Sequence, residues 1–538
     1  MKRATSFLLS SVKAPFDLSE EEIINIAKTK MKRLCGSVTG LHFRLYKKSF
    51  DARRRSDIKQ VCSVLVTASE PLCFDEARFA AANVMPFALA TPTITQGSER
   101  MIAPPLVVGM GPAGLFAALM LAERGYAPVI IDRGDDVAAR AAATERFRTQ
   151  GVLDTESNVQ FGAGGAGTFS DGKLVTRVND PLCNYVLSRM VEFGAPAEVL
   201  TRAKPHVGTD ILRVVVDAIL ARIENLGGRV MYRTRLDDLV KAGGGVLAKT
   251  TAGDIPAGAL VLAVGHSARD TFKMLLARGF LAEPKPFSVG LRIEHLREDI
   301  DRALYGDFAG HAALGAAEYA LSDTTGARGV YTFCMCPGGE VVTAASEQGG
   351  VVVNGMSYHA RDGKNSNSAV LAAVEPADVG GSIESAIAFQ HTLESAAFAA
   401  GGGDYAAPIS TVGDFLAGKS GTSPTRIQPT YGGGRVCTAD LTRVLPQFVT
   451  DTLAAGIRAF DKKISGFATP DAILTGVESR TSSPLRMLRH KEMRTAVGHE
   501  LVYPVGEGAG YAGGITSAAL DGLHSALALM ARFAPVNQ

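Results

Sequence analysis

The sequence predicts an α/β protein in which one βαβ-based unit is interrupted by an α+β unit and preceded by a small α/β unit. Three observations carry that prediction. Residues 106–132 run apolar strand, glycine loop, Ala/Leu-rich helix and second apolar strand, in the order of a βαβ opening. Residues 500–534, ELVYPVGEGAGYAGGITSAALDGLHSALALMARFA, return to strand, glycine loop and long helix. Between them, residues 285 to about 485 are glycine-rich and lack regular βαβ alternation, which marks an insertion.

Composition narrows the class. With 538 residues, 46% apolar and 20% charged, the chain has ample material for large cores. The start MKRATSFLLSSVKAPFD is basic, but its apolar stretch is only FLL before Ser10, too short for a secretory leader. No apolar run reaches the ~18–20 residues of a membrane span, so no membrane partner is expected. The seven cysteines, at 35, 62, 73, 183, 334, 336 and 437, are odd in number and scattered, which points to reduced thiols in a cytoplasm. No CxxC or His/Cys spacing predicts a metal site. Residues 1–60 carry 14 Lys/Arg against 6 Asp/Glu, so that segment is +8 and, with +2 overall, the remainder is −6. Its cluster KKSFDARRR reads first as a solvated face or one docked on the acidic remainder, and second as a footprint for nucleic acid.

Ser19 and Glu22 form a capping box ahead of a helix over about 20–34, and LHFRLY (41–46) and VCSVLVTA (61–68) read as strands around the basic turn. These make a small α/β (ferredoxin-like) unit over 1–100, with TPTITQGSERMIAPP as a linker at its end. Residues 101–284 hold the first part of a Rossmann-like unit, including an amphipathic helix at 208–228, short strands around the GGG turn at 243–245, and a buried strand in ALVLAVGHSARDTF (259–272). The insertion spans 285–485, and 486–538 closes the Rossmann-like unit.

Three stretches fit GxGxxG: GMGPAG (109–114), GAGGAG (162–167) and GAGYAG (508–513). A dinucleotide loop needs a strand before it and a helix after it, because the helix N-terminus faces the pyrophosphate. GMGPAG has both, with Pro112 in the first helical turn, and Asp132 follows Gly114 by 18 residues, near the place of the ribose-binding acid. FGAGGAG starts no helix, so it is expected to be a loop whose backbone cradles cofactor or substrate, helped by Thr168, Ser170, Asp171 and Lys173. GAGYAG has no second strand left after it. With Glu507 beside it, it is expected to complete the site begun by the first motif, as the ribityl chain and ring of a flavin require.

GMGPAGLFAALMLAERG with VIIDRG, LVLAVGHSA and VGEGAGYAGG resemble the FAD-binding elements of two-dinucleotide-domain flavoproteins. NVQFGAGGAGTFSDGKLVTR, KPHVGTD, KPFSVGLRIEH, YTFCMCPGGEVV, VNGMSYHARDGKNSN and ESRTSSPLRMLR resemble a bacterial family of uncharacterised FAD-dependent dehydrogenases over nearly the whole chain. The resemblance implies FAD in a Rossmann-like domain, an inserted substrate domain and hydride transfer between a small substrate and flavin. It implies Gly109, Gly111, Pro112, Ala113 and Gly114 at the pyrophosphate, Asp132 at the ribose and Arg133 beside the adenine. Gly164, Gly165, Ala166, Gly167 and Thr168 would pass along the cofactor, and Gly265 would border it. Gly506 and Glu507 would meet the ribityl chain, and the N–H groups from Gly510 to Ile515 the flavin edge. Ala163 stands where the resemblance leads one to expect Glu, which leaves no acid for a role there.

Candidates for the chemistry are fewer. Cys334 and Cys336 offer a dithiol two residues apart, although i and i+2 in a strand lack good disulfide geometry, and two small core thiols is the plain alternative. Glu478 and Arg480 cluster in GVESRTSSPLR, where Arg480 could orient an anionic substrate or pair with an acid across the units. Arg292 shares a strand face with Glu294, and His266 is read as a structural hydrogen-bonder. No second complete nucleotide fold is visible, so NAD(P)H would act only transiently. The competing functions are an RNA-directed flavoprotein using the basic N-terminal unit and a binding module with structural FAD.

Overall fold

The computed structural model describes residues 2–535. Its first unit is an antiparallel sheet in the order Leu41–Asp51, Lys59–Phe74, Lys2–Pro15, Val84–Pro86, crossed by helix Glu20–Cys35. The capping box forms as expected: Ser19 N–H donates to Glu22 Oε2 at 2.8 Å and Glu22 N–H to Ser19 Oγ at 3.3 Å. Strand Lys2–Pro15 was not foreseen. Phe7, Leu9, Val12 and Ala14 are its buried residues, but a register shift between Leu9 and Val12 breaks the two-residue period that would have revealed it. Lys47 and Lys48 lie within a strand rather than in the turn, which holds the exposed Arg54 and Arg55. This unit docks by backbone and aromatic contact. Lys48 donates its N–H to Thr201 O (2.6 Å) and accepts from Ala203 N–H (2.8 Å), and Phe16 meets Phe308 edge-on at 5.1 Å.

The second element is an all-parallel sheet, Val502–Pro504, Leu260–Leu262, Leu106–Val108, Val129–Ile131, Arg229–Met231. Its strands are three residues each and almost wholly buried at the centre, as parallel strands covered on both faces must be. Helix Pro112–Glu123 is buried nearly all round because helix Ile515–Arg532, from the chain's far end, packs on it. A Cβ on Gly522 would stand 1.9 Å from the Ala113 carbonyl oxygen, so the two backbones touch there. The segment read as a linker is tied down as well: Glu99–Arg100 pairs with Phe533–Ala534, and Gly97 N–H donates to Met530 O at 2.7 Å.

The third element is a seven-stranded, largely antiparallel sheet in the order Ser322–Asp323, Val330–Cys336, Asn365–Val374, Phe287–Leu296, Ile473–Glu478, Ala407–Thr411, Val436–Thr438. The chain leaves and re-enters beside the parallel sheet as a two-stranded ribbon, Ala282–Pro284 against Leu485–Met487. No helix among the described residues is long and apolar enough to cross a membrane.

Gly522→Val is expected to cost about 3 kcal/mol or more, because neither backbone can retreat from the contact. A thermal melt followed by circular dichroism should show a lowered Tm; an unchanged Tm would mean that the two helices do not meet there.

Candidate functional site

A cavity of about 320 Å³ lies where the strand ends of the parallel sheet face the inserted unit, in the size range of ligand pockets. Gly109, Gly111, Pro112 and Ala113 form part of its wall. Gly109 has φ +103°, and a Cβ there would stand 2.2 Å from Ala263 O, so only glycine permits this turn. Gly111 is the N-cap of helix Pro112–Glu123 and no side chain caps it, leaving its N–H groups to the cavity. Gly114 does not line the cavity: a Cβ there would meet Gly109 O at 1.9 Å, so it serves helix-to-strand packing. Asp132 braces the loop by accepting from Met110 N–H (2.8 Å) and Gly134 N–H (2.9 Å). Arg133 lies over the Phe161 ring at 4.4 Å.

The FGAGGAG stretch lies directly on this first loop. Gly164 N–H donates to Met110 O at 2.9 Å, and a Cβ on Gly165 would stand 2.8 Å from Gly111 Cα. What holds it there is Arg140, a residue the sequence reading missed. Its wholly buried guanidinium donates to the carbonyls of Ala163 (2.6 Å), Asn158, Val159 and Gly165 (2.9 Å each) and Gly162 (3.3 Å). Burial lowers its pKa to about 9, with Asp132 opposing, so it stays charged at neutral pH. The stretch then closes in one 3-10 turn, Ala166–Phe169, rather than in a plain loop. Gly165, Ala166, Gly167, Ser170 and Lys173 line the cavity; Gly164, Thr168 and Asp171 do not. Asp171 is fully buried among Arg361, Lys173 and Ser357. Burial alone would raise it, but Lys173 and Arg361 hold it down at about 2, so it is a structural ion-pair acid and not a cavity group.

The third and fourth wall segments follow Leu260–Leu262 and Val502–Pro504. Gly265, Gly513 and Gly514 border the cavity with nothing of the chain within 4 Å of where a Cβ would stand. Gly510 was expected there, but the turn in which its N–H returns to Glu507 O sets it against Leu485 O instead. Gly514 is the uncapped N-cap of helix Ile515–Arg532, and Ile515 reaches the wall with it. Gly506 N–H is anchored on Asp521 Oδ2 at 2.7 Å. Burial pushes the Glu507 carboxyl up to about 7, although Lys285 opposes this. His266 Nδ1 stands 3.9 Å from Glu507 Oε1, its Nε2 is buried without a partner, and burial together with Arg480 and Arg269 lowers the ring to about 4. The expected structural hydrogen-bonder is thus a neutral ring with one nitrogen unsatisfied at the cavity.

The inserted unit supplies Phe333, Cys334, Asn354, Glu478, Arg480 and Thr481. Arg292 and Cys336 lie behind this wall. Arg292 donates to Glu478 Oε2 (2.8 Å) and Asn367 Oδ1 (2.8 Å). Glu478 therefore pairs with Arg292 and not with Arg480, and burial, outweighing that pair, pushes its carboxyl up to about 7. Arg480 joins Arg269 on Glu394, at 2.9 and 2.7 Å, and on Glu347, at 2.8 and 2.5 Å. Its charge is committed, so it is not an open clamp for an anion.

The open helix N-termini, the bare glycine backbone and the unsatisfied His266 nitrogen fit an extended, polar and partly anionic ligand. Residues 286–481 match the family described as FAD-dependent protein, C-terminal domain-like. An uncharacterised protein of Clostridium beijerinckii is 43% identical over 534 residues, covering 96% of this chain and 98% of that one. Among solved structures, CtdE in complex with FAD aligns at 11% identity over 80% of this chain and 84% of that one, with a TM-score of 0.33. Glycine oxidase from Geobacillus kaustophilus aligns at 12% over 80% and 94%, with a TM-score of 0.31.

Glu394 lets the two units share this wall, and its removal is testable. Burial alone would raise its carboxyl, but Arg480 and Arg269 hold it down at about 2, against 4.5 for an ordinary glutamate. Its stabilisation is therefore complete above about pH 4.5 and is lost as pH falls toward 2. Glu394→Gln is expected to cost about 3–5 kcal/mol at pH 7, because two buried guanidiniums lose their acid. Denaturant melts should show this difference shrinking at pH 3.5; a pH-independent difference would refute the ion-pair account.

Proposed function

The chain belongs to the family of FAD-dependent proteins that share this C-terminal domain, with FAD as its cofactor, and from that premise we propose that it is an oxidoreductase exchanging a hydride with a small substrate. One observation carries the proposal: the glycine segments around 109, 165, 265 and 513 meet at one cavity, and the inserted unit supplies Phe333, Cys334, Asn354, Glu478, Arg480 and Thr481 to its wall. On this reading residues 101–284 and 486–538 hold FAD, and residues 285–485 hold the substrate.

Gly109, Gly111, Pro112 and Ala113 would hold the pyrophosphate at the helix N-terminus, with the Arg140 charge beneath the loop favouring the anion. Asp132 keeps lone pairs for ribose hydroxyls after accepting two backbone N–H groups, and Arg133, held by Phe161, would lie by the adenine. Gly165, Ala166, Gly167, Ser170 and Lys173 would follow the cofactor toward Gly506, Glu507 and Ile515. The open N-terminus of helix Ile515–Arg532 favours negative charge on whatever lies against it. Bound FAD supplies a ring that accepts or returns a hydride. Glu478 and Glu507, both held near 7, can each take or give a proton at their carboxyl oxygens in the working pH range. The lining cations Arg133, Lys173, Arg235 and Arg480 are all paired with carboxylates, so an anionic substrate finds no uncommitted positive side chain among them. The substrate is therefore read as neutral or cationic. Seven free thiols suit a cytoplasmic setting.

The test is an anaerobic titration of the yellow protein with NADH, NADPH and a metabolite panel of matched amines, alcohols and carboxylic acids, read by flavin bleaching. Amines or alcohols are expected to bleach the flavin faster than acids of equal size. A faster acid would overturn the substrate class, and a chain that neither purifies with FAD nor takes it up would overturn the reading. Gly165→Val drives a side chain into the first glycine loop and is expected to reduce FAD content more than it lowers the apoprotein Tm. Undiminished FAD per soluble chain would remove that stretch from the cofactor site.

A further inference from the structure

Strand Val330–Cys336 does not run straight past the cavity. Its ladder pairs Phe333 with Ala369 and Cys336 with Asn367, so three steps on one strand oppose two on the other, which is a β-bulge. Cys334, inside the bulge, has φ +44°, a left-handed conformation costly for a residue with a Cβ. In a regular strand the thiols at i and i+2 would stand a full pleat repeat apart. Here Cys334 lines the cavity, and the buried Cys336 folds back behind it so that its thiol donates to the Cys334 carbonyl oxygen at 3.2 Å. The sequence-based objection to this pair, poor geometry in an extended segment, does not apply to a bulged one.

Arg292 serves both cysteines. Its Nη2 donates to Cys334 O at 2.5 Å and to Cys336 Sγ at 3.5 Å, while its Nη1 holds Glu478. The neighbouring Cys336 thiol, with Arg292 and Lys173 and against burial, lowers the Cys334 thiol, whereas burial raises Cys336. The accessible sulfur is thus the more readily ionised one and the enclosed sulfur its reserve, the asymmetry of an attacking and a resolving thiol.

We propose that Cys334 and Cys336 are a redox-active dithiol on the cavity wall, cycling to a Cys334–Cys336 disulfide by exchanging an electron pair with FAD. On oxidation two S–H bonds break and one S–S bond forms. Two electrons and one proton pass to the oxidised flavin, and the Glu478 carboxylate takes the other proton. In the reverse direction the disulfide would take two electrons and one proton back from bound FAD and the other proton from the Glu478 carboxyl, reforming both S–H bonds. The proposal rests on FAD occupying the cavity, and its test separates the two claims.

The first arm uses full-length protein freed of FAD, reduced, equilibrated in glutathione redox buffers and alkylated. Mass spectrometry is expected to find the tryptic peptide 329–361 lighter by two hydrogens, at potentials where the other five cysteines still alkylate. Two alkylated thiols on that peptide after the other cysteines have oxidised would overturn the dithiol. Cys336→Ser is expected to stop at a mixed disulfide between Cys334 and glutathione, and glutathione nowhere on the peptide would count against Cys334 as the attacking thiol. The second arm is an anaerobic dithionite titration of holoprotein, with Cys334→Ser first checked for wild-type Tm and FAD content. The oxidised wild type should consume about twice the reductant per flavin that the variant does, because the disulfide adds a second two-electron couple. Equal consumption would sink the exchange. A chain that closes the disulfide yet retains no FAD would refute the cavity reading, and with it the named electron partner, while leaving the thiol couple intact.

Discussion

The guanidinium of Arg140 is completely buried and has no carboxylate within salt-bridge distance among the described residues; its donors go instead to five carbonyls on residues 158–165. A buried cation is tolerable only when its donors are satisfied, and a loop of adjacent carbonyls is tolerable only with a donor beneath it, so each is the condition for the other. The glycines of the second motif follow from this. A Cβ on Gly162 would stand 2.5 Å from Arg140 Cδ, and one on Gly165 would collide with Gly111. The loop must be bare on one side to admit the cation and bare on the other to lie on the first glycine loop. The cavity's shape is a result of that stacking.

A second constraint sets the opposite wall. Two guanidiniums, Arg269 after the Leu260–Leu262 strand and Arg480 at the end of the inserted unit, converge on one buried carboxylate, Glu394, with Glu347 shared at the rim. Their charges cancel locally, so the parallel sheet and the inserted sheet meet through a fixed polar junction and not through apolar surface alone. The same cancellation leaves Arg480 no open charge for an anion, and this wall keeps Glu478 and Cys334 as its groups with shifted protonation, facing Glu507 across the cavity.

The parts that were legible in the sequence are the parts whose physics is local. GMGPAG, its strand, its helix and Asp132 lie within 30 residues, and each needs only its neighbours to be recognised. The capping box of Ser19 and Glu22 is of the same kind. Where the determining contact comes from far along the chain, the reading fell short. Asp171 looked like a ligand-facing acid because Arg361, which claims it from 190 positions away, lay in a different motif. Arg140 carried no signal, since a helix such as Val137–Gln150 bears arginines on its solvent face far more often than beneath a loop. The first strand was missed and the spacing of the cysteine pair was hidden for one shared reason: a bulge shifts the two-residue alternation on which strand reasoning depends.

The two walls divide the labour by the kind of atom they present. On the side of the parallel sheet, contact is made mainly by backbone at glycines and helix ends, which offers fixed dipoles and admits few substitutions. On the inserted side, contact is made by side chains on the strands of an antiparallel sheet, where one residue can be exchanged without moving the backbone of the other wall. The backbone wall is therefore fixed by geometry, while the groups that face it are set by a few side chains: Cys334 in its bulge, Asn354, and Glu478 on its strand. Arg292 is the residue that couples these positions, because one guanidinium touches the carbonyl of Cys334, the sulfur of Cys336, Asn367 and the carboxylate of Glu478. A proton gained or lost at Glu478 changes the charge that Arg292 must balance, and the thiols share that balance. Glu478 and Cys334 thus feel each other's charge across one guanidinium, and a proton gained at either changes the field at the other.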